Sequence, residues 1–240
     1  MSDVTIADLI ANGTMNADMA AVLWAAVDEE LSFLTVALPR LAGKSTTSMA
    51  ALGLRRPHVA LHEVAGEPRL MDRLKEQKLG GYLVVAEFSR APMYGYIWGD
   101  AVQRVFDTLP HGYALQTSLH ADSVDEGMQV VTKGIGISDE QASAFRLVIY
   151  IRRFGDPVTG YWRRVAEIFE VERVENRRAV GQTLFRWRPD DDSFEQVATP
   201  KQFGGGTERL RQRVNALQQV VESGRRTPED IAQVVKEFHS

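Results

Sequence analysis

The first 145 residues alternate between short apolar blocks and stretches with helical spacing of apolar residues. The apolar blocks, each ended by a turn residue or a charge, lie at 31–37, 58–62, 82–86 and 114–119. Helical spacing lies between and after them, at 45–52, 69–78 and 100–109 and again from about residue 123. Short apolar strands that alternate with helices predict an α/β fold with a mainly parallel sheet and helices on both faces.

Beyond residue 145 the strand-like segments become longer and alternate between apolar and polar residues. They cover 147–153, 161–174 and 183–188, with Gly, Pro, Asn and Asp in the turns between them. We predict an antiparallel β-meander over 147–188 that is attached to the α/β core.

Both ends of the chain have helical patterns. Thr5 with Asp8, and then Asn16, are typical helix caps, which predicts two lead-in helices. After a run of three glycines at 204–206, an apolar stripe predicts a helix over 207–223 that docks on the meander or on another protein. Thr227-Pro228 begins a further helix. The predicted organisation is lead-in helices over 1–30, an α/β domain with its meander over 31–203, and a helical segment over 204–240.

Composition narrows the possible functions. The chain has 240 residues, 44% of them hydrophobic, which is typical of a globular protein with a core of useful size. It contains no Cys, which excludes disulfides, thiolate catalysis and cysteine-bound zinc. A net charge of −4 gives no general reason to bind nucleic acid, and the C-terminal arginines at 209, 211, 213, 225 and 226 are interpreted as a solvated face. No apolar run approaches a membrane span and the first residues lack a secretory pattern, so a cytoplasmic location is expected.

The segment 38–46 is the first candidate for chemistry, because it joins an apolar strand to a helix. Phosphate-binding loops at such junctions need converging backbone N–H groups, a Lys for the outer phosphates and a hydroxyl for Mg²⁺. Gly43, Lys44 and Ser45 supply the closing half of that pattern, whereas Leu38 stands where it asks for glycine. Gly-Lys-Ser alone is also typical of an ordinary helix start.

Further polar residues follow the other predicted strands. Glu63, Glu87 and His120 stand at strand ends, as Lys44 stands close after the first strand. Ligands of open α/β sheets bind beyond the carboxyl ends of the strands, so all four side chains are expected to meet in one crevice. A glutamate there can orient Mg²⁺ or polarise an attacking water, and a histidine can contact the terminal phosphate. The alternative is a residue that only happens to emerge at a strand end, an interpretation favoured for Glu63.

The order of these blocks resembles the secretion ATPases of type II and type IV systems and of pilus assembly. Pro39 with 43–46 is similar to that family's Walker A loop, 83–87 to its Walker B strand, and 117–123 to its histidine box. The strand over 58–63 is similar to the one that carries the family's acidic box, and most of the chain is covered by the resemblance.

The resemblance implies a P-loop NTPase (RecA-like) fold that uses ATP and Mg²⁺. It implies a nucleotide-binding set of Pro39, Ala42, Gly43, Lys44, Ser45 and Thr46. It implies catalytic roles for Glu87, His120 and Glu63, and metal binding by Ser45 and Glu87. The implied partners are further copies in a homo-oligomeric ring or partner ATPase subunits, and a membrane secretion or pilus platform protein.

Two hypotheses follow, because the chain departs from the family at several positions. Leu38 and Leu41 replace glycines, and His62 stands where the acidic box begins. The family's N-terminal domain has no counterpart here, so closure over the nucleotide is expected to need a partner or another subunit. The first hypothesis is an ATPase subunit, and the alternative is a degenerate relative that acts as a scaffold or regulatory subunit without hydrolysis.

Residues 91–99 look like an insertion between the Walker B strand and the histidine box. It is rich in large apolar side chains, namely Met93, Tyr94, Tyr96, Ile97 and Trp98. Such a group is expected either to pack on a partner or a neighbouring subunit, or to fold back on the chain's own core.

Overall fold

The computed structural model describes residues 4–39 and 41–239. Residues 1–3 and 240, at the outer ends of the two predicted helical segments, and Arg40 of the loop lie outside the described residues. The helices are α1 (Ile6–Ala11), α2 (Ala17–Asp28), α3 (Lys44–Leu52), α4 (Pro68–Gln77), α5 (Asp100–Phe106), α6 (Val124–Gln129), α7 (Asp139–Ala142), α8 (Gly206–Glu222) and α9 (Pro228–Phe238). A 3₁₀ turn at Leu109–His111 and a π-helical segment at Val130–Ile135 complete the helical elements.

The strands are β1 (Ser32–Leu38), β2 (Leu61–Glu63), β3 (Tyr82–Val84), β4 (Glu87–Phe88), β5 (Tyr96–Ile97), β6 (Ala114–Leu119), β7 (Phe145–Asp156), β8 (Gly160–Glu175), β9 (Arg178–Arg188) and β10 (Ser193–Gln196). Eight of them form one sheet in the order β10-β9-β8-β7-β1-β6-β3-β2. The pairs from β7 to β2 are parallel, and those from β7 to β10 are antiparallel. The predicted α/β fold with a mainly parallel sheet and an antiparallel extension is confirmed.

Helices cover both faces of the sheet because successive side chains of its central strands point to opposite sides. Phe33 of β1 belongs to an apolar cluster that also contains buried residues of α1, α2, α3, α8 and α9. Leu34, the next residue, belongs to a second cluster with buried residues of α4, α5 and α6. The two chain ends therefore pack on the same face of the sheet as α3.

The lead-in helices begin where the caps predict. Thr5 and Asp8 form a reciprocal capping box at α1, and the side chain of Asn16 accepts a hydrogen bond from the backbone N–H of Met19 at α2. These bonds satisfy amide groups that the first helical turn leaves without a partner. Helix α9 begins in the same way, with a capping box formed by Thr227 and Asp230.

Helix α8 packs mainly against the lead-in helices α1 and α2, in an apolar cluster that also contains residues of the meander. The interpretation of the C-terminal arginines as a solvated face is wrong for Arg213. This side chain is 2% exposed, and its Nη2 lies 2.9 Å from Oδ2 of the buried Asp28. An arginine can be buried in this way because the carboxylate compensates its charge.

Three predicted strand boundaries differ in the structure. His58 and Val59 lie in a turn closed by a 3.0 Å bond from Val59 N–H to the Arg56 carbonyl, so the second strand begins only at Leu61. The predicted strand over 82–86 stops at Val84, and β4 resumes at Glu87 to pair with β5 instead. The meander is longer than predicted, from β7 at residue 145 to β10 at residue 196.

Among residues 4–39 and 41–239, the helices are too short or too polar to cross a lipid bilayer.

Candidate functional site

The candidate site begins at the junction of β1 and α3. Gly43 has φ 89° and ψ 17°, a left-handed conformation that glycine adopts without a steric penalty, and it caps the N-terminus of α3 without a side chain. Lys44 is the first residue of that helix. A 2.8 Å hydrogen bond between the hydroxyls of Thr35 and Ser48 holds α3 against β1. The junction thus has the strand, loop and helix arrangement that the phosphate-loop prediction requires.

Lys44, Glu87 and His120 meet in one cluster. Lys44 Nζ lies 3.2 Å from Glu87 Oε2, and His120 Nε2 lies 3.3 Å from Glu87 Oε1. Lys44 Nζ is also 3.5 Å from both ring nitrogens of His120. The 3.3 Å contact fits a hydrogen bond donated by an Nε2–H group of His120 to Glu87, while the ammonium group of Lys44 lies equally far from the two ring nitrogens.

Burial makes this cluster electrostatically strong. Lys44 is 7% exposed and Glu87 is 4% exposed, whereas one third of the His120 side chain remains accessible. A buried ammonium or carboxylate without a partner is strongly destabilising, so each of these two charges stabilises the other. His120 forms the solvent-facing side of the cluster.

The sheet topology explains why the cluster forms at this place. β1 pairs in parallel with both β6 and β7. After β1 the chain continues to β2, on one side of β1 in the sheet, whereas after β6 it continues to β7, on the other side. The helix after β1 packs on one face and the helix after β6 on the other. A crevice opens beyond the carboxyl ends of strands at such a switch point. Lys44 follows β1 and His120 follows β6, so both side chains border it.

Glu87 reaches the crevice because the chain bends over β6 after β3. Val85 N–H donates to the Gln116 carbonyl at 3.0 Å, and the Ser118 hydroxyl donates to the Ala86 carbonyl at 2.9 Å. These bonds carry the chain toward β1 and place Glu87 between Lys44 and His120.

Glu63 does not join the other three side chains. It ends β2, which is separated from β1 by β3 and β6. At about 4.8 Å per strand, the two strands are roughly 14 Å apart. Glu63 instead lines two neighbouring cavities on the α3 side, one of which it shares with Ser45. The expected meeting of four side chains is therefore a meeting of three.

A cavity of about 600 Å³ opens around the cluster. Its lining includes five of the six predicted nucleotide-binding residues, namely Ala42, Gly43, Lys44, Ser45 and Thr46. Ala42 is buried, Ser45 is exposed, and Pro39 is exposed outside this lining. The volume and the mixture of one buried cation, hydroxyls and backbone N–H groups suit a phosphorylated small molecule.

Leu38 and Leu41, which stand where the phosphate-loop pattern described above has glycines, are exposed. Leu41 is 75% exposed and has φ +62°, and Leu38 is 44% exposed. A left-handed conformation costs a residue with a Cβ about 1–2 kcal/mol. The loop therefore keeps a turn at position 41 without glycine, and the Leu41 side chain lines the cavity at its mouth.

Arg163 of β8 is a site residue that the sequence did not indicate. Its Nε and Nη2 donate to the Leu41 carbonyl at 3.2 and 2.9 Å, and it lines the same cavity. A Cβ added to Gly43 would lie 2.8 Å from Cδ of Arg163, so glycine is needed for this close approach. Arg163 lies 119 positions after Lys44 in the meander, where no motif marks it.

The insertion over 91–99 is divided between the chain's own core and the surface. Ile97 is buried and pairs, as part of β5, with Phe88 of β4. The guanidinium of Arg90 lies over Trp98, with Arg90 Cζ 4.9 Å from the centroid of the indole ring. Tyr94, by contrast, is 91% exposed. Folding back on the core is confirmed for Ile97, and the prediction of a partner contact remains for Tyr94 and for the half-exposed Met93.

A metal ion at this site would be held by protein oxygens together with a bound phosphate group. Within residues 4–39 and 41–239, His, Asp and Glu form no group of three or more that could hold an ion. Ser45 offers a hydroxyl that is exposed to the cavity, and Glu87 offers a carboxylate. Mg²⁺ commonly binds through one or two protein oxygens together with phosphate oxygens and waters. The residues present fit Mg²⁺ as a companion of a bound phosphate group.

Comparisons with known proteins give limited information. No protein-family model matches the chain, and no curated protein matches it. Among solved structures, the chain is similar to the VirB11 ATPase of the Brucella suis type IV secretion system, solved in complex with sulphate. The identity is 15%, the TM-score is 0.44, and the match covers 64% of this chain. The match spans 52% of the VirB11 chain, about half of its length.

Proposed function

We propose that the chain binds ATP with Mg²⁺ in the cavity at the junction of β1 and α3. The observation that carries this proposal is the buried cluster of Lys44, Glu87 and His120 at the switch point of the sheet. A cation at a helix N-terminus, next to a glycine that lets another group approach closely, is the arrangement that phosphate groups need. The α/β fold and the resemblance of the sequence blocks support the role of an ATPase subunit of the secretion and pilus-assembly type.

Each residue has a defined role in this proposal. The backbone N–H groups over 43–46 face the phosphates, and Lys44 supplies positive charge to them. The Ser45 hydroxyl and the Glu87 carboxylate would hold Mg²⁺, which supplies charge neutralisation of the phosphate oxygens. Because Lys44 is paired with Glu87 in the structure, phosphate binding requires the ammonium group to divide its contacts between the two.

Hydrolysis would use the Glu87 carboxylate, which becomes accessible when Lys44 shifts part of its contacts to the phosphates. Glu87 accepts contacts from both Lys44 and His120, so a loosened Lys44 leaves one carboxylate oxygen able to orient water. His120 remains on the solvent-facing side and can hold the carboxylate in place by its Nε2–H group. Glu63 is too far from this cluster to take part directly and is proposed only for the neighbouring cavities.

Calorimetric titration with Mg-ATP and with a non-hydrolysable analogue tests the proposal. Lys44→Ala is the matched control, because it removes the cation and leaves the backbone N–H groups. We expect saturable binding by the unaltered chain and at least a hundredfold weaker binding by the variant. Equal binding by both proteins, or none by the unaltered chain, would contradict the proposal.

A second candidate function is a scaffold or regulatory subunit that hydrolyses nothing. The observation in its favour is the pair of exposed leucines in the segment before α3, since Leu38 and Leu41 add apolar surface where glycines would let the loop wrap closely. This candidate predicts no Mg²⁺-dependent turnover. Turnover that disappears in Lys44→Ala would exclude it.

Assembly is proposed on the same basis. Exposed apolar residues lie around these cavities, since Leu41 and Met93 line the cavity at the cluster and Tyr94 lines the neighbouring cavity that Ser45 and Glu63 share. Such a rim suits a neighbouring copy in a ring or a partner ATPase subunit that closes over the nucleotide. We propose 31–203 as the nucleotide-binding unit, with the helices of 1–30 and 204–240 as its support on one face of the sheet.

A further inference from the structure

Arg163 is a cation in the candidate site without a compensating carboxylate. It forms no ion pair with any residue in the described part of the chain. The adjacent Arg164 shows the contrast, because its Nε and Nη2 each lie 2.7 Å from a carboxylate oxygen of Asp192. Two neighbouring arginines on β8 thus differ in that only one has its charge satisfied within the protein.

The positive charge of Arg163 lies next to the loop that contains Leu41 and Gly43. Its side chain crosses Gly43 so closely that an added Cβ would meet Cδ at 2.8 Å and Nε at 3.1 Å. Only the Leu41 carbonyl accepts hydrogen bonds from the guanidinium among the described residues. These bonds occupy two of the five N–H donors of the group, and the others remain for a ligand in the shared cavity.

The strand register explains why Arg163 faces the loop. Arg163 pairs with Arg153 of β7, and its neighbours Trp162 and Arg164 pair with Phe154 and Arg152. Opposite residues of antiparallel strands share a face, and consecutive residues alternate. Arg163 therefore lies on the loop side of the hairpin between β7 and β8, whereas Arg152 and Arg164 lie on its other side.

We propose that Arg163 binds phosphate oxygens of the nucleotide, and that the meander thereby contributes a residue to the phosphate site. The proposal rests on the function proposed above. A planar guanidinium forms paired hydrogen bonds to phosphate, and a phosphate oxygen is a stronger acceptor than the backbone carbonyl of Leu41. Binding of phosphate transfers Arg163 from that carbonyl to the ligand and links the hairpin to the occupied loop.

Titration of R163Q tests the energetic part of this proposal. We expect inorganic pyrophosphate and Mg-ATP to bind about tenfold to a hundredfold more weakly than to the unaltered chain, because one charge-assisted contact is lost. R152Q is the matched control, since it removes the same charge from the same hairpin on the opposite face. R163K separates charge from geometry and is expected to recover only part of the affinity. Circular dichroism establishes that each variant is folded.

The nuclear magnetic resonance signal of the Arg163 Nε–H group tests the contact itself. The signal, assigned by its loss in R163K, is expected to shift when pyrophosphate is added, while that of Arg164 stays in place on Asp192. An unmoved Arg163 signal overturns the proposal, even if R163Q binds weakly, because the arginine then only supports the loop. Undiminished affinity of R163Q also overturns it. If the unaltered chain binds neither ligand, both proposals fail, whereas binding that is lost in Lys44→Ala but kept in R163Q overturns this one alone.

Discussion

At the scale of single residues, the candidate site is organised by compensation of buried charge. Lys44 and Glu87 are both nearly inaccessible, and Lys44 Nζ lies 3.2 Å from Glu87 Oε2. Truncating either partner removes its charge together with its packing, whereas a neutral isostere of the carboxylate removes the charge but retains its shape and a hydrogen-bond acceptor. Conservative substitutions are therefore more informative here than truncations.

Glu87→Gln separates binding from hydrolysis. We expect Mg-ATP binding to be retained, because the amide preserves volume and an oxygen that can still coordinate Mg²⁺ beside Ser45, and because Lys44 becomes more available to phosphate. Turnover is expected to fall by a hundredfold or more, since an amide cannot polarise water as a carboxylate does. Parallel calorimetry and phosphate-release assays measure the two effects. Equal turnover in both proteins would rule out Glu87 as the catalytic group.

Leu41→Gly tests whether the loop tolerates its leucine at a cost. The substitution removes the Cβ from a position with positive φ, and it also increases the conformational entropy of the unfolded chain. We expect the free energy of unfolding to stay unchanged or to rise by about 1 kcal/mol, and nucleotide to bind at least as tightly. Urea unfolding and titration check both points.

Leu79→Gly is the matched control for that experiment. Leu79 is also largely exposed in a loop, but it is not among the residues with positive φ. Its replacement is expected to lower the free energy of unfolding by about 0.5–1 kcal/mol. A Leu41→Gly variant as destabilised as this control would show that the leucine is not strained.

At the scale of elements, a second buried charge cluster joins four parts of the chain. Asp28 at the end of α2 lies 2.8 Å from Arg56 Nε, 2.9 Å from Arg213 Nη2 of α8 and 2.8 Å from His239 Nε2 after α9. Burial lowers the pKa of Arg213 and of His239, and Asp28 opposes both shifts. The cluster holds the C-terminal helices onto α2 by specific charge contacts in addition to apolar packing.

Arg213→Ala is expected to destabilise the protein by about 3–5 kcal/mol, because it leaves a buried carboxylate with one fewer partner and a void beneath Trp24 and Phe238. Urea unfolding followed by circular dichroism measures the change. Arg211→Ala is the matched control on the same helix, since its ion pair with Glu208 is exposed and should contribute little. Similar losses in the two variants would contradict a special role for Arg213.

At the scale of the whole molecule, one apolar cluster links the site to both ends of the chain. Residues of α3, which carries Lys44, share it with residues of α1, α2, α8 and α9. A ligand that stabilises the N-terminus of α3 therefore stabilises the packing of helices that are distant from it in sequence. Because these helices share one apolar cluster, we do not expect the C-terminal helices to unfold separately from the rest of the chain.

Binding of Mg-ATP is expected to raise the stability of the entire chain in a single transition. At a free nucleotide concentration of 100 times the dissociation constant, the gain is about 2.7 kcal/mol. Circular dichroism and tryptophan fluorescence should report the same displaced midpoint, since the four tryptophans lie in different parts of the chain, from Trp24 in the helical layer to Trp187 in the meander. Lys44→Ala should show no displacement. Two separate transitions, only one of them sensitive to nucleotide, would contradict this coupling.

Structural features that depend on residues close together in the chain could be predicted from the sequence. The capping boxes, the strand before Gly43 and the helix that begins at Lys44 follow from local residue patterns, because backbone conformation and caps depend on near neighbours. The alternation of apolar blocks similarly indicated a covered parallel sheet. Lys44, Glu87 and His120 could be proposed together because each stands at or near a strand end.

The membership of the site required the tertiary structure. Strand order excluded Glu63, since β2 is at the edge of the sheet, and the bend after Val84 included Glu87. Arg163 and the contact of Arg213 with Asp28 join residues far apart along the chain, where no local pattern records which side chains meet. Periodicity constrains the face on which a residue lies, but strand order and helix docking determine its neighbours, because these result from burial of apolar surface summed over the whole chain.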